Sequence, residues 1–95
     1  MENKIAFGIA LRRIRKARNL SQEDFSIVSS RTYISSLERG LKSPTLEKID
    51  LIAKVLEVHP MTLMFASYLA SDPSLTDEQL TGVIEKELEN INLVL

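Results

Sequence analysis

Apolar residues recur every three or four positions along most of this chain, and nowhere do they alternate at the two-residue period of a half-buried strand. In the first segment Phe7, Ala10, Leu11, Ile14 and Ala17 fall on one helical face, while Arg12, Arg13, Lys16 and Arg18 lie mostly elsewhere. Asn19-Leu20 closes that helix. Ser21 then stands as an N-cap, with Asp24 three residues on as the acid of a capping box, and predicts a short second helix, QEDFSIV, that gives Phe25 and Val28 to a core. Ser29-Ser30 interrupts the pattern, and RTYISSLER resumes it with Ile34 and Leu37 inward and Gly40 at the left-handed end. Thr45 opens a fourth helix carrying Leu46, Ile49, Ile52, Ala53 and Leu56. His59-Pro60 opens a fifth, since proline suits the first helical position, and it continues through MTLMFASYLA. After SDPS at 71–74, Thr76 and Gln79 form a second capping box for a sixth helix. Its stripe is Leu80, Ile84, Leu88 and Ile91, widened by Val83 and Leu93 to Leu95. The expectation is an all-α protein with one boundary, at SDPS, dividing residues 1–70 from a C-terminal amphipathic helix in 71–95.

Length and composition agree with that picture. Ninety-five residues suffice for one modest core, and 44% apolar with 26% charged residues is ordinary for a globular chain. No apolar run approaches the roughly 18 residues that would span a bilayer. The absence of cysteine removes disulfides, thiolate metal sites and thiol nucleophiles together, and a cytoplasmic protein is expected. Charge changes the picture more. Net charge is −1, but residues 1–43 hold nine Lys/Arg against four acids, whereas residues 44–95 hold three against nine. One half suits a polyanion and the other is repelled by it; the same asymmetry also fits two halves that attract each other.

Two very short helices joined abruptly are the layout of a helix-turn-helix, whose second member enters the major groove of DNA. At LSQEDF, RTYISSLERG and SPTLEKIDLIAKVLEV the chain resembles the Cro and phage-repressor type of helix-turn-helix protein, also called the xenobiotic-response-element family. The resemblance covers about residues 7–65. It implies a compact five-helix, lambda-repressor-like DNA-binding domain that reads bases with its third helix. Carried over by position, it implies base contacts from Arg31, Thr32 and Ser36, with Ser35 beside them. It implies backbone contacts from Gln22, Tyr33, Arg39, Lys42 and Ser43, and a structural salt bridge between Arg15 and Glu38. An arginine near the start of the groove helix can bond both acceptors of a guanine, and a threonine methyl suits thymine. Tyr33 has a second reading, with its ring packed against helix two, and the two serines have one as small residues that allow close approach. One departure stands out. Only eight positions separate Phe25 from Tyr33, fewer than the family usually places there, and the turn lacks the customary glycine.

Other chemistry finds little footing. His59 is the sole histidine and sits at a helix start, where capping is its natural role; no carboxylates are matched to it for a metal, and three scattered glycines make no phosphate loop. No catalytic residue, metal or cofactor is expected. The apolar residues Met61, Met64, Phe65 and Tyr68 exceed what a five-helix core needs, and methionines suit adaptable contacts. They are covered either by the sixth helix of the same chain or by a second copy. The expected function is a sequence-specific DNA-binding transcriptional regulator, a repressor on a palindromic operator. It is expected to act as a homodimer joined through Leu80, Ile84, Leu88 and Ile91 with Met61, Met64, Phe65 and Tyr68. The alternatives are an antitoxin-type autoregulator or a restriction-modification controller that also binds a regulatory protein partner.

Overall fold

The structure is a computed structural model and describes residues 1–92; Leu93 to Leu95, read above as widening the last stripe, lie outside the described residues. Among the described residues five α-helices and one 3-10 turn follow in order: α1 Asn3–Ala17, the 3-10 turn Gln22–Phe25, α2 Arg31–Glu38, α3 Leu46–Leu56, α4 Pro60–Ser71 and α5 Asp77–Ile91. Among the described residues there is no strand.

α1 is held by the apolar spacing of Phe7 and Leu11 and ends with Arg15 and Lys16 in its last turn, where cations complement the helix dipole. Asn19, at φ 57, turns the chain away. The expected second helix is a single 3-10 turn instead. Its capping box is present, with the Ser21 N–H donating to Asp24 Oδ2 at 2.6 Å, but the chain must reverse again by Ser30. Phe25, fully buried, anchors that turn, and its carbonyl accepts from the Ser29 N–H at 2.9 Å. Ser30 caps α2, its Oγ accepting from the Tyr33 N–H at 3.1 Å. Thr45 caps α3 through the Lys48 N–H, and His59 caps α4, its Nδ1 accepting from the Met61 N–H at 3.0 Å.

The core joins Phe7 and Leu11 of α1, Phe25, Ile34 and Leu37 of α2, Ile49, Ile52 and Leu56 of α3, and Leu63 of α4. Fully burying each large side chain contributes on the order of 2–3 kcal/mol. α1 and α2 meet closely because residue 8 is glycine: a Cβ there would collide with the carbonyl of Leu37 and come within 2.7 Å of that of Glu38. Gly40, at φ +72, ends α2 against Ile5. Two expected core residues lie elsewhere: Leu46 is 71% exposed, and Ala17, the last residue of α1, is exposed too.

α5 contributes no buried residue. An Asx turn links it to α4, with Ser74 donating to Asp72 Oδ1 through both its N–H and its hydroxyl, and those bonds lower the Asp72 pKa. The radius of gyration is 14.2 Å, against about 12.4 Å for a compact chain of this length. α5 stands off the remainder, touching α4 where Leu80 and Ile84 line a shallow apolar groove with Met61, Met64, Phe65 and Tyr68.

Candidate nucleic-acid interface

The short second helical element and α2 share an anchor that positions both. Arg15 of α1 grips Glu38 at the end of α2 with two bonds, Nε to Oε2 at 2.6 Å and Nη2 to Oε1 at 2.9 Å. The two side chains are 11% and 5% exposed. The third guanidinium nitrogen, Nη1, donates to the Leu20 carbonyl at 2.9 Å, so one arginine ties the entry of the 3-10 turn to the exit of α2. The bond to Glu38 raises the arginine pKa further, against the opposing effect of burial. Gln22 joins this network, its Nε2 donating to Glu38 Oε1 at 3.2 Å. A carboxamide has two N–H donors, so one remains for a phosphate.

Arg31 and Thr32, at the first turn of α2, are exposed, and Ser35 is half-buried. Ser36 is only 6% exposed. It stands one turn before Gly40, which is buried too, and it leaves little surface for a base edge. Arg39, Lys42 and Ser43 are exposed beyond the end of α2.

Tyr33 is half-buried between two lysines. Lys42 Nζ lies 5.9 Å and Lys48 Nζ 5.4 Å from its ring centroid, within cation–π range. Burial raises the Tyr33 pKa, and a phenol hydroxyl is a hydrogen-bond donor at neutral pH. Lys48 was not among the residues singled out from sequence. It belongs to α3, and its ammonium also donates to the Val28 carbonyl at 2.8 Å, pinning the turn before α2. Its position relative to Tyr33 depends on two helices meeting, which no local pattern reveals.

The turn itself presents Ile27, 87% exposed. Ahead of it Glu23 pairs with Arg31, Oε1 to Nη1 at 3.0 Å, with both side chains largely in solvent. The three acids of the 3-10 turn and α2 are therefore all engaged: Asp24 in its capping box, Glu38 by Arg15, and Glu23 by Arg31. Beside the exposed Ile27, the cations and hydroxyls of Arg31, Thr32, Arg39, Lys42 and Ser43 face outward. Such a surface can grip phosphates with lysine, arginine and tyrosine while the first turn of α2 reaches base edges.

Comparison with known proteins bears on the same segment. The helix-turn-helix family profile matches residues 11–63, a span from α1 into α4. Control protein C.BamHI of Bacillus amyloliquefaciens is 41% identical over 64 residues, which cover 64% of this chain and 79% of that protein. The crystal structure of the restriction-modification controller protein C.AhdI from Aeromonas hydrophila superposes with a TM-score of 0.60 at 34% identity, covering 63% of this chain and 94% of that one. α5 begins at Asp77, beyond the family match.

Proposed function

This chain belongs to the helix-turn-helix family of DNA-binding regulators, and from that premise we propose that it is a cytoplasmic repressor that binds a two-fold symmetric operator as a homodimer. The observation that carries the reading is Arg31, exposed at the start of an α2 locked in place by the Arg15–Glu38 pair. A helix aimed this firmly can bring one guanidinium to one base position. Arg31, Thr32 and Ser35 are the base readers; Gln22, Tyr33, Arg39, Lys42, Ser43 and Lys48 hold the backbone. The second copy sits on the exposed apolar residues of α4 and α5, Met61, Tyr68, Val83, Leu88 and Ile91. α5 also carries Asp77, Glu78, Glu85, Glu87 and Glu89, which keep that end away from phosphates.

Within this reading the controller of a restriction-modification system is the favoured role, because C.AhdI is described as one and shares this fold at 34% identity. No observation favours the antitoxin role.

Arg31→Ala tests the base-reading assignment. Affinity for the preferred duplex should fall by about 1–3 kcal/mol, with lost preference at one base position in each half-site, because a bidentate guanine contact disappears. Titrations against a panel of single-base operator variants distinguish the outcomes. Equal weakening on every variant would mean that Arg31 touches only phosphate.

A further inference from the structure

We propose that Glu23 is a specificity-determining residue: it holds Arg31 for a base edge and keeps that arginine off the phosphates. The proposal rests on Arg31 reading a base, as set out above.

The pair joins the 3-10 turn to the first residue of α2, with Glu23 Oε1 and Arg31 Nη1 3.0 Å apart. Its side chains are 72% and 68% exposed, a setting in which an ion pair contributes little to stability. Folding therefore gives no strong reason for it. Its placement does. Arg31 opens α2, where the positive end of the helix dipole disfavours a cation, and the first turn of α2 holds no acid of its own. Glu23 supplies the missing charge from across the turn. Only Nη1 is engaged, so Nε and Nη2 remain as a fork able to meet the two acceptors of a guanine. A carboxylate at this distance also opposes a phosphate that would compete for the same guanidinium. A long arginine in solvent finds phosphates along any DNA, and an acid beside it penalises that sequence-blind contact. The neighbouring acids cannot serve in this way, since Asp24 is bonded to the Ser21 N–H and Glu38 is enclosed by Arg15.

The test measures the intact chain, E23Q, R31A and the double variant on two duplexes across several salt concentrations. One duplex is the preferred site enriched from a random pool, the other a shuffled duplex of the same length and composition. E23Q should bind the shuffled duplex more tightly, with a salt dependence steeper by about 0.9, one extra phosphate contact. Discrimination between the two duplexes should fall about tenfold, equivalent to about 1.4 kcal/mol, while the thermal melt stays unchanged. In the R31A background the same substitution should leave discrimination unaltered, because no base reader remains to be positioned. Equal tightening on both duplexes would show a plain charge effect and overturn the proposal. So would a loss of discrimination that persists without Arg31. If R31A discriminates as well as the parent, base reading by Arg31 fails and the role of Glu23 fails with it. If R31A loses discrimination and E23Q keeps it, Glu23 alone is excluded.

Discussion

Replacing Glu38 by glutamine is expected to lower folding stability by about 3 kcal/mol, with little change in DNA affinity per folded molecule. The carboxylate is 5% exposed and receives two bonds from a guanidinium that is itself only 11% exposed. Removing its charge leaves an arginine enclosed by protein with no anion opposite. Breaking such a pair from one side typically costs about 3–5 kcal/mol. The low end applies here because Arg15 keeps its bond to the Leu20 carbonyl and a glutamine oxygen can still accept. Against a total stability of about 5–15 kcal/mol this is a large fraction, and for a chain of this size it lowers the melting temperature by at least about 12 °C. Melts and DNA titrations on the same preparation separate the two effects. An unchanged melt with collapsed binding would place Glu38 at the DNA rather than in the frame that aims α2.

A chain ending at Asp72 should keep its fold, become largely monomeric and bind an operator about 10²–10⁴-fold more weakly. The fold survives because the last core residue is Leu63 and α5 buries nothing. Dimerisation does not, because Val83, Leu88 and Ile91 are the exposed part of the only stripe that α4 leaves uncovered among the described residues of α5. Joining two domains makes the second half-site contact effectively intramolecular, which raises affinity with no new base contact. Sedimentation of both chains at matched micromolar concentration reads the oligomeric state directly. A truncated chain that still sediments as a dimer would confine the interface to α4, at Met61, Met64, Phe65 and Tyr68.

What could be read from the sequence was local. Capping pairs three residues apart, Ser21 with Asp24 and Thr76 with Gln79, mark helix starts because both partners lie within one turn, and both boxes are present. Ile34 and Leu37 are fully buried where their spacing puts them. Leu46 has the same periodic credentials yet is exposed. As the first residue of α3 its side chain leans toward the helix start, beyond the core. QEDFSIV reads as a helix, but its tight return to Ser30 leaves space for one 3-10 turn. The depth of Ser36, the lysines flanking Tyr33 and the Glu23–Arg31 pair were not legible. Each depends on segments that meet only after folding, eight positions apart in the case of the ion pair. Resemblance to a family supplied the Arg15–Glu38 partnership, which no periodicity contains.

Selection of bound duplexes from a random-sequence pool by the full chain tests base reading by α2 most directly. The expected product is a motif of two inverted half-sites, centred about one helical turn apart, 34–36 Å along the DNA. A bound pool with no enriched motif, held by salt-sensitive affinity alone, would contradict it and leave the basic face as a sequence-blind phosphate grip.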